Sequence, residues 1–172
     1  MALSIFLIDK IGRHELTARQ IMTDPVLFLA FGFGFGLFRK APGTWGTVSA
    51  IPLYWLFVQA GSNGFFLLTL LVSIAGIGIC GSAAKKLGEH DFGGIVWDEI
   101  AGFLVTMLWV PFSWQAMLIG FLLFRIFDIV KPWPIIWVDQ QVVGGLGIMM
   151  DDLLAGIMAG LLMLVIVTMG WL

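Results

Sequence analysis

The sequence predicts an all-α, multi-pass helical membrane protein with about five crossing helices and a Gly-rich N-terminal helix that re-enters or half-inserts. Three observations lead there. The 172 residues are 60% hydrophobic and 12% charged, with a mean hydropathy of +1.02, well outside soluble averages. No Asp, Glu, Lys or Arg occurs in 41–84, 100–124 or 153–172. A five-crossing arrangement of those stretches leaves every charge on one face of the membrane.

Residues 1–23 read as a mature N-terminal cytoplasmic or interfacial segment. Their charges follow a short apolar run, the reverse of a cleaved signal peptide. Ile5, Phe6, Ile8, Ile11 and Leu16 suit a helix lying in the interface. Residues 24–172 form a single integral membrane domain. Its apolar stretches fall at about 25–38, 46–60, 65–84, 99–112, 114–130 and 152–171, separated by Gly, Pro or charge. Helices are expected throughout, because a helix in lipid satisfies its own peptide groups.

The first stretch, PVLFLAFGFGFGLF, is only fourteen residues long with glycines at 32, 34 and 36, and suits a re-entrant element. The turns QAGSNG and VPFSWQ then share the uncharged face. All nine Lys and Arg lie opposite, including Lys10, Arg13 and Arg19, and the positive-inside rule makes that face cytoplasmic.

Eight of the eleven carboxylates crowd into two windows of that face, 85–99 and 125–152. Asp98-Glu99 and Asp151-Asp152 each occupy a point where a Gly-containing loop enters an apolar helix. One acidic doublet is an ordinary N-terminal cap. Two doublets at one membrane face, with Asp128 at similar depth, point instead to function, since ionisable groups at a membrane are functional by default. Carboxylates about 4 Å apart repel by roughly 4 kcal/mol per pair at an effective dielectric of 20. A hard cation relieves that, and oxygen ligands without a His or Cys cluster favour Mg²⁺. Asp98, Glu99, Asp128, Asp151 and Asp152 are therefore the candidate metal ligands.

Arg125, Asp128 and Lys131 recur every three residues before Pro132 ends the helix. Beside a metal site this face suits an anion: Arg125 offers a bidentate fork for phosphate oxygens and Lys131 a point charge. The loop RKAPGTWGT opens the following helix, and its amides and hydroxyls at Gly43, Thr44, Gly46 and Thr47 suit a phosphate at a helix N-terminus. His90 and Asp91 are candidates for positioning and activating water. The catalytic set is thus His90, Asp91, Asp98, Glu99, Asp128 and Asp152.

Other chemistries lack their residues. No Asp-x-Asp exists for an aspartyl-phosphate mechanism, Lys86 rather than Arg stands sixth after Cys80, and no second histidine lies near His90. A net charge of −2 without a long basic run excludes polynucleotide binding.

The blocks GFGFGLFRKAPGTWGT, HDFGGIVWDEIAGF, FRIFDIVKPWPI and GGLGIMMDDLLAG resemble, in order, those of the phosphatidylglycerophosphatase A family over about 25–171. Relatives often carry a small polar residue and a Ser-Pro where this chain has Phe35, Phe38 and Arg39, so no role is carried over for such a hydroxyl. The resemblance implies an Mg²⁺-dependent phosphatase of the bacterial inner membrane, active at the cytoplasmic face. Its substrate would be phosphatidylglycerophosphate and its products phosphatidylglycerol and phosphate. The alternatives are a cation or proton-coupled transporter using the same carboxylates, and a scaffold in which the acids only cap helices. A transporter would hold its site near the midplane of discontinuous helices, whereas these acids fall at predicted helix ends.

Overall fold

Peptide groups in so apolar a chain find their partners inside helices. The computed structural model describes residues 17–89 and 92–172, which form eight α-helices and two 3₁₀ segments with no strand among them. The interfacial helix expected from Ile5, Phe6, Ile8, Ile11 and Leu16 lies outside the described residues.

Helix α1 (Ala18–Thr23) starts with a capping box in which Thr17 and Gln20 accept each other's backbone amides. Asp24 caps α2 (Pro25–Ala30), its carboxylate accepting from the amides of Val26 and Leu27. Lys86 donates to the same carboxylate, tying this N-terminal pair to the far end of the chain's longest helix. That contact holds the Asp24 carboxyl below its ordinary value, helped by the two backbone amides. Asp24→Ala should lower stability by about 1 kcal/mol, the usual worth of a cap. Because the folded-state value is depressed, the wild-type advantage exists above the ordinary carboxylate range and disappears on acidification. Thermal unfolding of both proteins in micelles at neutral and acid pH checks the size and the sign.

The 25–38 stretch is not one helix. After α2 the chain turns into a 3₁₀ segment, Gly32–Leu37, broken where Phe33 and Gly34 adopt φ of 60° and 97°. Six residues of helix rise about 9 Å, far short of a bilayer core of about 30 Å. The break packs Gly32 against Val96 and Ser49.

The remaining helices are α3 (Pro42–Val58), α4 (Gly61–Leu87), α5 (Trp97–Thr106), α6 (Trp114–Val130), α7 (Ile135–Gln141) and α8 (Gly144–Thr168), with a 3₁₀ turn Met107–Trp109 after α5. Two of them, α4 with 27 residues and α8 with 25, are long and apolar enough to cross a membrane. Large apolar side chains cover much of the outer surface, among them Leu67, Leu71, Ile74, Leu118, Leu122 and Ile126. An apolar exterior of that extent fits contact with lipid rather than water.

The centre is α8, which packs against α4, α5, α6 and α7. Its closeness to two neighbours depends on glycine. A Cβ on Gly145 would lie 2.1 Å from the carbonyl oxygen of Ile77 in α4, and one on Gly156 would lie 2.3 Å from that of Gly102 in α5. Small residues at such crossings let backbones touch, as is usual between membrane helices. Helix α8 begins eight residues earlier than the apolar pattern indicated, so Asp151 and Asp152 lie two turns inside it. They do not cap its N-terminus.

Candidate active site

Helices α5 and α8 run side by side in the same direction, and a short motif is common to both. Asp98-Glu-Ile-Ala-Gly102 and Asp152-Leu-Leu-Ala-Gly156 each place an acid one turn before the glycine that makes the crossing. Residues four apart share a helix face. Contact at Gly102 and Gly156 therefore brings Asp98 and Asp152 together at one level, and a Cβ on Gly102 would also stand 2.7 Å from the carbonyl oxygen of Asp152. This repeated Asp-x-x-Ala-Gly is the sequence signal for the pairing, and charge clustering alone does not register it.

The acids converge. One carboxylate oxygen from each of Asp98, Glu99 and Asp152 lies within 4.8 Å of the others. Asp98 and Asp152 are buried, and Glu99 is largely so, with 14% of its side chain exposed. Asp128 of α6 is an immediate electrostatic neighbour of Glu99 and Asp152. Among the described residues one cation faces this group: Nη1 of Arg125 lies 2.5 Å from Asp128 and 3.7 Å from Glu99. Four carboxylates against one guanidinium leave a deficit of positive charge in a poorly solvated place. Glu99 Oε2 is buried without a hydrogen-bond partner among the described residues. An all-oxygen set with an orphaned carboxylate oxygen fits a hard divalent cation such as Mg²⁺.

The second acid of the α8 doublet has a different fate. Successive residues on a helix point about 100° apart, and Asp151 turns to Lys131, whose Nζ donates to Asp151 at 2.7 Å and to Asp139 at 2.6 Å. Burial alone would lower the Lys131 ammonium, but the two carboxylates outweigh it and hold it above its ordinary value. Lys131 ends α6 in the left-handed conformation, φ 45°, where glycine is usual. A non-glycine residue there costs roughly 1–2 kcal/mol, and the double ion pair with Asp139 and Asp151 offsets it. Asp139, which sequence reasoning did not single out, belongs to this pair.

The α3 entrance supplies a roof. Ala41, with φ 50°, turns the chain into Pro42, and Gly43 then sits over Glu99 and Arg125. A Cβ there would come within 2.2 Å of Glu99 Oε1 and 3.0 Å of both terminal nitrogens of Arg125. Of the expected phosphate-loop residues, Gly43 reaches the cluster and Thr44 is half-buried next to it. Gly46 and Thr47 face elsewhere. Gly46 packs against Val96, and the buried Thr47 hydroxyl donates to the carbonyl oxygen of Gly43. His90 and Asp91 lie outside the described residues.

The sequence matches the family described as phosphatidylglycerophosphatase A over residues 28–167. A relative of that name from Escherichia coli (strain K12) is 44% identical over 154 residues, covering 87% of this chain and 90% of the relative. Another, from Haemophilus influenzae, is 41% identical over 140 residues, covering 80% and 86%. No solved structure matches the chain.

Proposed function

The chain belongs to the phosphatidylglycerophosphatase A family, and from that premise we propose how its acidic cluster dephosphorylates phosphatidylglycerophosphate. The enzyme is a phosphoric monoester hydrolase that releases phosphatidylglycerol and inorganic phosphate. The observation that carries the proposal is the meeting of Asp98, Glu99 and Asp152 beside Arg125 beneath the Gly43 turn. Together they provide a place for a cation next to a place for an anion.

Asp98, Glu99 and Asp152 would hold Mg²⁺, with Asp128 adjacent. When bound, the ion supplies Lewis-acid stabilisation of charge on a phosphoryl oxygen. The chain's own residues do the rest. Arg125 is held by Asp128 so that its fork stays aimed at phosphate oxygens. The absence of a side chain at Gly43 keeps space open above Glu99 and Arg125. Lys131, already shared by Asp139 and Asp151, fixes the α6 to α8 junction and adds positive potential rather than a direct phosphate contact. Asp91, with His90, is assigned to accepting the proton of the attacking water.

In this reading the domain, 24–172, is multi-pass with α3, α4, α5 with its 3₁₀ extension, α6 and α8 as crossings. Residues 1–23 lie at the cytoplasmic interface. The active face is cytoplasmic, where Arg39, Lys40, Lys85, Lys86 and Lys131 gather. The capping scaffold accounts only for Asp98 and Glu99, which stand in the first turn of α5, and not for Asp151 and Asp152, two turns inside α8. The transporter reading yields to the family assignment.

Phosphate release from phosphatidylglycerophosphate micelles, with and without EDTA, tests the proposal. Turnover should vanish in EDTA and return with excess Mg²⁺. Unchanged turnover in EDTA would refute the metal site, and a preference for soluble glycerol phosphate would refute the lipid substrate.

A further inference from the structure

A cavity of about 610 Å³ lies between α4, the end of α5 with its 3₁₀ turn, and α8. Pockets that bury small ligands span roughly 300–1,000 Å³, so the space is large enough to hold more than stray water. Its wall is mainly apolar. Phe66, Leu70 and Trp109, which line it, are also exposed on the outer surface, so it opens sideways where a surrounding bilayer would be.

Its position relative to the acids is specific. Leu153, which directly follows Asp152 on α8, and Ile157, five residues after that acid, line it, and Val105 lies seven residues beyond Asp98 on α5. At about 1.5 Å per residue the cavity thus begins within about 10 Å of the carboxylates and runs away from them along the helices. One buried wall residue is polar and unspent. Thr69 is 1% exposed and its hydroxyl has no hydrogen-bond partner among the described residues. A buried hydroxyl left unpaired costs about 1–3 kcal/mol, and a lipid ester carbonyl is an acceptor with no donor of its own.

Resting on the phosphatase reading above, we propose that this cavity receives an acyl chain of the phospholipid substrate, with Thr69 donating to its ester carbonyl. The phosphate end then lies at the acids and the tail within the helix bundle. The site selects long-chain lipid monoesters over water-soluble ones by burying the chain, at about 0.8 kcal/mol per CH₂ taken from water.

The test compares dioleoyl and dihexanoyl phosphatidylglycerophosphate as substrates for wild type, Val105→Phe and Ile157→Phe in micelles. Each variant should lose at least tenfold in kcat/KM on the dioleoyl lipid and less than twofold on the dihexanoyl one. Equal losses on both lipids, or none on either, overturn the proposal. A wild-type measurement guards against misfolded variants. A dioleoyl analogue with a mid-chain diazirine should label Trp109, Val110 or Phe112 at the far end of the cavity, and labelling confined to outward-facing Leu118 and Leu122 of α6 would also overturn it. Wild type that releases no phosphate from either lipid instead refutes the phosphatase reading itself.

Discussion

Asp98→Asn and Asp152→Asn, made separately, should each lower turnover of phosphatidylglycerophosphate by roughly 100- to 1,000-fold, the scale of removing one charge-stabilising group from an active site. Each keeps the shape of the side chain and removes one charge from three carboxylates whose oxygens lie within 4.8 Å. The stability readout separates a lost ligand from a lost fold. Without divalent ion, neutralising one member relieves repulsion of roughly 4 kcal/mol per pair at most, so the unfolding temperature should stay level or rise. Added Mg²⁺ should stabilise wild type by mass action and leave the variants unmoved. Full turnover in both variants would end the assignment, as would a rise in unfolding temperature with Mg²⁺ equal to that of wild type.

Gly156→Leu should be as damaging by a different route. Its Cβ would meet the carbonyl oxygen of Gly102 at 2.3 Å, and a backbone atom cannot rotate away. The helices must separate, at the 1–3 kcal/mol typical of overpacking, and Asp98 parts from Asp152. Activity should fall by roughly 100-fold, since a misplacement of about 1 Å already costs that much, and the unfolding temperature should fall with it. By contrast, Gly78→Leu, at a position with open space around it, should do neither. Phosphate release and thermal unfolding of the two variants side by side check this, and an active, stable Gly156→Leu would refute the crossing as the source of the site.

Much of this was legible in the residues. The 114–130 stretch became α6 over the same range, since Ser113 caps it and Pro132 follows it. The convergence of Asp98, Glu99 and Asp152 was legible because like charges in an apolar chain need a reason. The N-terminal half of α8 was not. Gly144, Gly145 and Gly147 read as loop, yet Gly145 is helical because its missing side chain admits the backbone of α4. Nor does charge clustering divide the Asp151-Asp152 doublet; in the sequence only the repeated Asp-x-x-Ala-Gly does. One of two adjacent acids must face the cluster and the other away, and the partner that takes up the other, Lys131, is a tertiary fact. Thr47 misled for a local reason: inside a helix a threonine hydroxyl can bond back to the fourth carbonyl before it, and here it does.

The backbone contact between α5 and α8 also bears on how the enzyme meets bilayers of different thickness. Membrane helices answer hydrophobic mismatch by tilting, and a catalytic pair borne on independently tilting helices would open and close with every change in lipid chain length. Here the carbonyl of Gly102 rests in the notch at Gly156 with no side chain between to slide. If both cross the bilayer, the two helices should lean as a single strut, and the spacing of their acids should then stay constant as the lipid chain length changes.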